Sequence, residues 1–493
     1  MAETLKVSPE PRMLIDGKLV EATSGKTFEN VNPATEEVLG RVADASTEDM
    51  HRAIAAARRA FDETSWSTDR AFRKHCLGQL QEALDAEQEE LREQLILEVG
   101  APRMLTHGPH LDLPLAHGLR FPIELIDRYA WETELEDCLD MRGTPTSRRI
   151  WKEPVGVVGA ITPWNYPFEV AINKLGQALA TGNTVVLKPA PDTPWNATLI
   201  GRVVAERTDI PAGVLNVVTS SDHLVGEELT LSRQVDLISF TGSTSVGKRI
   251  MEKGAATMKR LFLELGGKSA TIVLEDADLA AATMNGFAVC SHAGQGCAIQ
   301  TRMLLPRSRY EEGVEMLKGV MSAVPYGDPQ RPDVLMGPVI SAKQRDRVLG
   351  YIEKGIAEGA TLALGGGRPK DLDKGWFVEP TLFTDVDNGM TIAQEEIFGP
   401  VLVVIPFEDE DDAVRIANDS QYGLSGGIYS GSLERSLAVA RRVRTGVLSV
   451  NGGNFYAADL PFGGYKDSGV GRQNGTAGFD QYLETKSLAW PAE

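Results

Sequence analysis

Between residues 155 and 274 the chain alternates short, almost unbroken apolar runs with longer stretches whose apolar residues recur at helical spacing. The runs 155–162, 184–187, 214–219, 235–240 and 271–274 predict strands, and the stretches 168–180, 196–207, 224–231 and 244–256 between them predict helices. A strand with no polar alternation is buried on both faces, so this pattern predicts a parallel sheet covered by helices on each side. Such sheets bind ligands at the carboxyl ends of their strands, and the loops following these runs are therefore where chemistry should lie.

Upstream the pattern is different. Residues 1–50 read as a loop, a hairpin over 13–20 around Asp16-Gly17 and the turn Asn32-Pro33-Ala34-Thr35. From 47 to 99 apolar residues such as Ile54, Ala57, Leu77, Leu84 and Leu91 keep helical spacing with a break at 64–68, which predicts two amphipathic helices. Residues 131–140 alternate acidic and apolar side chains and 147–152 are basic; the pair predicts exposed strands outside the main core, where an oligomer contact would form. His107, His110 and His117 are spaced like metal ligands, but Gly108-Pro109 keeps the first two off a shared helical face, so satisfied histidines are expected there.

Composition narrows the class. A chain of 493 residues with 42% hydrophobic content can bury two or more packed cores. Its net charge of -19 repels phosphate backbones and anionic lipid, which favours a small-molecule role. Four cysteines without a Cys-x-x-Cys pair suit a reducing cytoplasm and give neither a disulfide scaffold nor a structural zinc site. Residues 1–14 are polar, and no apolar run reaches the roughly 18 residues of a membrane span, so neither export nor insertion is expected.

One cysteine stands apart. Cys290 sits among apolar neighbours and reads as a buried hydrophobe, whereas Cys297 lies in Gly294-Gln295-Gly296-Cys297-Ala298-Ile299-Gln300-Thr301, between small and polar residues that leave backbone N–H groups free to face developing charge. Cys297 is the candidate nucleophile. After run 155–162, Asn165 in Pro163-Trp164-Asn165-Tyr166-Pro167 offers a neutral amide donor to an oxyanion. After 184–187, Lys188 offers a cation to ribose hydroxyls. After 235–240, residues 241–249 form a glycine turn opening a helix, whose N-terminus can receive phosphate. Gly242 to Lys248 imitates a nucleoside-triphosphatase loop, but Arg249 occupies the place of the magnesium-binding hydroxyl, so that reading is rejected. Glu264, in an apolar strand, is a general base if burial raises its pKa and an ordinary ion-paired glutamate if it does not.

Taken together, Pro163-Trp164-Asn165, Lys188-Pro189, Phe240-Thr241-Gly242-Ser243, residues 263–268, Gly294-Gln295-Gly296-Cys297, Glu395-Glu396-Ile397-Phe398-Gly399-Pro400 and Pro461-Phe462-Gly463-Gly464 follow the order and spacing of the aldehyde dehydrogenase superfamily, which the chain resembles over nearly its whole length. The resemblance implies an α/β fold: a Rossmann-like NAD(P)-binding domain (1–128 and 151–263), an α/β catalytic domain (264–460), and a small β oligomerisation arm with the C-terminal tail (129–150 and 461–493). It implies oxidation of an aldehyde to a carboxylic acid through a Cys297 thiohemiacetal and thioester, with NAD as cofactor and NADP tolerated. Cys297 resembles the family nucleophile, Glu264 its general base, and Asn165 with the Cys297 N–H its oxyanion hole. Lys188 and Glu396 match ribose-binding positions and Ser243 a pyrophosphate contact; Trp164 and Phe398 match walls around the cofactor, and Gly242, Gly247 and Leu265 complete that set. Tyr166, Gly296, Ala298, Tyr456 and Phe462 match the aldehyde tunnel. The implied partners are an aldehyde and further copies of the chain, as homodimer or homotetramer, without nucleic acid or membrane.

Two departures matter. Pro191, followed by Asp192, replaces the family's usual glutamate three residues after the ribose lysine, which normally excludes a 2′-phosphate. Gln473 stands where many relatives have a glutamate and cannot take a proton, leaving proton transfer to Glu264. The alternatives are a cofactor-independent cysteine hydrolase pairing Cys297 with His292, and a binding relative without activity. With no cation beside the tunnel positions, and Arg302 and Lys466 the nearest in sequence, uncharged aliphatic or aromatic aldehydes are expected to be preferred over acid semialdehydes.

Overall fold

In the computed structural model, residues 7–492 are described; the first six residues of the polar N-terminal stretch lie outside them. Four of the apolar runs, joined by Arg260–Glu264, form five parallel strands in the order Arg260–Glu264, Leu237–Thr241, Val157–Ile161, Thr184–Lys188 and Leu215–Val217. Antiparallel strands flank them: Gly469–Val470 on one edge, and the hairpin Met13–Ile15 with Lys18–Val20 on the other.

Consecutive residues of each central strand point to opposite faces, and both faces are apolar. Val158, Val185 and Leu237 pack with Leu77, Phe168 and Leu175, while Val157, Val186 and Ile238 pack with Ile54, Ala57 and Leu229. Val157–Ile161 precedes both of its neighbours in sequence, so the sheet is built outward from it in two directions. The crevice at that switch point opens at the strands' carboxyl ends, where Thr241 pairs with Glu264 and Ile161 with Lys188.

Two sequence expectations are corrected. Run 271–274 forms Ala270–Val273 in a second sheet, ordered Thr361–Leu364, Thr381–Thr384, Val401–Phe407, Arg302–Pro306, Ala270–Val273, Gly426–Tyr429 and Ser449–Val450. Apolar composition reports burial and is silent about which sheet a strand joins. The region 47–99 forms three helices, Thr47–Glu63, Arg70–Ala86 and Gln88–Val99. The extra break falls at Glu87, which no glycine or proline marks; its carboxylate pairs with Arg207 and Arg202 of a distant helix, so tertiary contact overrides continuous local propensity.

The acidic and basic segments form Glu132–Leu139 and Pro145–Pro154, which pair antiparallel and are joined by the C-terminal strand Leu483–Pro491. Every residue of Glu132–Leu139 except Cys138 is exposed. No helix of the described residues is long and apolar enough to cross a membrane.

Candidate functional site

Cys297 is held by a loop that only a few residue types can make. It follows the helix Asn285–Cys290, and His292, Ala293 and Gly294 all lie in the left-handed region at φ 50°, 53° and 71°. At Gly294 a Cβ would come 2.0 Å from the Gly399 carbonyl oxygen, so the glycine both permits the conformation and seats the loop on Gly399-Pro400. The buried Gln295 side chain then fastens it: Oε1 accepts from the Ile340 N–H at 2.9 Å and Nε2 donates to the His292 and Pro338 carbonyls at 3.2 and 3.3 Å. The Asn165 amide donates to the Gln295 carbonyl at 2.8 Å, which ties the candidate oxyanion donor to the candidate nucleophile's own loop. Its second amide hydrogen is free for the cavity it lines.

Glu264 closes strand Arg260–Glu264 and is 3% exposed, with Oε1 lacking a hydrogen-bond partner. Burial raises its carboxyl pKa to about 7, against the lowering effects of the Cys297 thiol and Lys174. Burial and the neighbouring Glu264 push the Cys297 thiol well above its ordinary range, so the pair rests as thiol with a carboxyl poised near neutrality. Such a carboxylate can accept a proton from a thiol or a water.

Both groups open into a cavity of about 420 Å³. Tyr166, Gly296, Ala298, Tyr456 and Phe462 all line it, with the Tyr456 and Phe462 rings in edge contact at 5.0 Å. Among the described residues no lysine or arginine does. Arg302 is instead buried against the Lys268, Ile416 and Ala417 carbonyls, and Lys466 donates to the Asn418 and Ser420 carbonyls.

Behind the cavity, His110 stacks on Tyr166 at 4.3 Å and meets His292 edge-on at 4.4 Å. Neither ring has a hydrogen-bond partner, so His292 is not set up as a base for Cys297. Burial pushes the His292 pKa down to about 4, below the ordinary value near 6.5. The unfolded chain therefore binds a proton at this residue between those values while the native chain does not, and stability present above pH 6.5 is lost as pH falls towards 4. At ~1.4 kcal/mol per pH unit, His292→Phe is expected to lose about 2 kcal/mol less stability than the unsubstituted chain between pH 6.5 and 5. Denaturant titrations of both proteins at the two pH values check this; equal losses would refute it.

The candidate cofactor residues gather along the switch-point crevice. Lys188 ends its strand buried, and its ammonium reaches only the Pro189 and Ser220 carbonyls at 3.2 and 3.4 Å, leaving donor capacity for a hydroxyl. Ser243, after Gly242, caps helix Thr244–Gly254, whose first turn carries no acidic residue and suits phosphate. At Gly247 a Cβ would fall 2.6 Å from the Leu265 side chain, so that helix packs directly against the segment that follows Glu264. Glu396 accepts from the Gly267 N–H at 2.9 Å, and the Trp164 and Phe398 rings meet edge to face at 5.3 Å. These groups fit a dinucleotide: hydroxyl-binding side chains of both charges, a phosphate-binding helix end and aromatic walls. Lys248 pairs with Asp467 at 2.7 Å, on the tail segment, which agrees with rejecting the triphosphatase reading.

Sequence reasoning passed over Glu169. It lies in helix Pro167–Ala180, every residue of which is buried, and lines the same cavity. The available signal was a glutamate in the first turn of a helix apolar on all sides.

The description "Aldehyde dehydrogenase family" belongs to the family model that matches residues 19–488. The chain is 42% identical over 481 residues to a 3-succinoylsemialdehyde-pyridine dehydrogenase of Pseudomonas sp, covering 96% of this chain and 97% of that protein. Its fold resembles a Mycobacterium tuberculosis aldehyde dehydrogenase complexed with NAD+, at 42% identity, TM-score 0.92 and 97% coverage of both chains. It also resembles an aldehyde dehydrogenase from Bacillus cereus in an NAD+ complex, at 38% identity and TM-score 0.93, covering 99% of this chain and 98% of the other.

Proposed function

The chain belongs to the aldehyde dehydrogenase family, an NAD-dependent oxidoreductase that converts aldehydes to carboxylic acids, and from that premise we propose that Cys297, Glu264 and Asn165 carry out the reaction. The observation that carries this reading is that Cys297, the Asn165 amide and the buried Glu264 carboxyl, whose pKa lies near neutrality, line one cavity. Glu264 takes the thiol proton, the sulfur adds to the aldehyde carbon, and the alkoxide is held by the Asn165 amide and the Cys297 N–H. NAD+, when bound, supplies the hydride acceptor that turns the thiohemiacetal into a thioester. Glu264 then passes the thiol proton to solvent, deprotonates a water that adds to the thioester, and returns a proton to the departing sulfur as the acid is released. Lys188 and Glu396 hold the two riboses, helix Thr244–Gly254 with Ser243 receives the pyrophosphate, and Trp164 and Phe398 wall the dinucleotide.

The division into a cofactor-binding unit (1–128 and 151–263), a catalytic unit (264–460) and an arm with tail (129–150 and 461–493) belongs to this reading. So do a cytoplasmic location and homo-oligomerisation through the exposed Glu132–Leu139 edge, a row of unpaired backbone groups suited to a second copy.

NAD is preferred over NADP because the Asp192 carboxylate, exposed next to Pro191, is close enough to act on the Lys188 ammonium and so stands where a 2′-phosphate would be repelled. The expected kcat/KM for NAD exceeds that for NADP by at least about tenfold, ~1.4 kcal/mol, and Asp192→Ala narrows the ratio. Reduced-nicotinamide absorbance over a panel of aldehydes tests both points. Failure to reduce NAD+ with any aldehyde would overturn the function, and a tenfold preference for NADP would overturn the cofactor ordering.

A further inference from the structure

The cavity is lined by two carboxyl groups, and for one of them the reaction has no use. Glu169 is 9% exposed, and its Oε1 accepts from the Tyr456 hydroxyl and the Asn173 amide. Asn173 also donates to the Tyr456 hydroxyl at 2.9 Å, and Gln473 does so at 3.3 Å. Side chains from a helix, the 454–458 loop and the tail thus fix the carboxyl in one orientation. Oε2 has no partner among the described residues and is not sealed off, so it faces the cavity that Glu169 lines. Lys174, the nearby cation, is spent elsewhere: its ammonium donates to Ser239 at 3.0 Å and does not line the cavity.

A carboxylate built into a largely apolar and aromatic cavity that no lysine or arginine of the described residues lines, the exposed His117 being its one imidazole, is complete only when its ligand brings a cation. Burial, with Glu264's charge adding to it, raises the Glu169 pKa to about 8. An aliphatic ammonium, titrating like lysine near 10.4, keeps its proton against such a group and forms an ion pair with it. A substrate carboxylate would instead meet Glu169 and Glu264 with no compensating charge. We propose that Glu169 is a specificity-determining residue of the aldehyde cavity and that the enzyme prefers aldehydes carrying a protonated primary amine, held at Glu169 Oε2. This rests on Cys297 and its cavity being the aldehyde site.

The test compares near-isosteric pairs: 3-aminopropanal with butanal, and 4-(aminomethyl)benzaldehyde with 4-ethylbenzaldehyde, alongside 4-carboxybenzaldehyde. In the unsubstituted enzyme the amino member of at least one pair is expected to have a tenfold or greater advantage in kcat/KM, with the carboxy compound poorest of all. Glu169→Gln keeps the shape and the Tyr456 partner but removes the charge, and the amino-to-alkyl ratio is expected to fall at least tenfold. A ratio is insensitive to how much of the variant folds. The proposal is overturned if the unsubstituted enzyme shows no amino preference in either pair, or if Glu169→Gln lowers all five aldehydes equally, which would put the carboxyl in the chemistry. NAD+ reduction with none of the five would remove the aldehyde-oxidising function itself, and this proposal with it.

Discussion

Cys297→Ser is expected to lose at least about a thousandfold in kcat, ~4 kcal/mol of barrier, while its affinity for NAD+ stays within threefold. The thiol already sits above its ordinary pKa because burial and Glu264 disfavour the anion. The Glu264 carboxylate can nonetheless take its proton, since sulfur becomes anionic many units below a hydroxyl. Serine in the same place faces the same desolvation with a far weaker acid. His292 and His110 do not rescue it, because both are buried, His110 stacked on Tyr166 and His292 edge-on to His110. The Lys188, Ser243 and Glu396 contacts belong to other loops, which is why cofactor affinity should survive. Turnover is read from reduced-nicotinamide absorbance and affinity from a direct titration. More than a few per cent of residual turnover would remove Cys297 from the nucleophile's role.

Glu264→Gln separates the two halves of the reaction. Acylation needs one proton removed from the thiol, which solvent can accept slowly; deacylation needs a water activated in a closed cavity, where solvent base has poor access. The expected result is a burst of about one reduced cofactor per active site followed by a steady state roughly a hundred- to thousandfold lower, within the usual range for loss of a general base. The pH profile carries the same signature. With Glu264 near 7, turnover of the unsubstituted enzyme rises as pH increases through neutrality because the base form accumulates, and this limb should vanish in the variant. Rapid-quench and steady-state measurements check both. Unchanged turnover with no burst would release Glu264 from the role.

How much could be read from the chain follows from what each residue's environment is made of. Cys297 and Asn165 sit in short loops whose glycine, proline and polar neighbours are adjacent in sequence, so their context travels with them. The switch-point crevice was legible because the strands that form it are consecutive apolar runs. Glu169 was not, because its significance depends on Tyr456 and Gln473, nearly three hundred residues away. Asp192 likewise gains meaning only from its position beside Lys188. The break at Glu87 is set by arginines on another helix, and the assignment of Ala270–Val273 to a second sheet by partners at 302–306 and 426–429. In each case the sequence holds the residue while the deciding partner is remote.

The tail segment Gly469–Val470 pairs with Arg260–Glu264, Ser468 accepts from the Leu265 N–H at 3.0 Å, Phe462 and Gln473 bridge each other beside the cavity, and Leu483–Pro491 completes the arm sheet. A ribosome makes these residues only after Cys297 and Glu264 have emerged. The nascent chain can fold its dinucleotide crevice early, since units of a chain form as they are synthesised, yet the thiol is not walled in and its proposed base not flanked until the tail segment has been made. Until then the chain has its proposed nucleophile but no finished chamber for it, and on this reading the capacity to oxidise aldehydes arrives with the tail segment instead of growing with chain length.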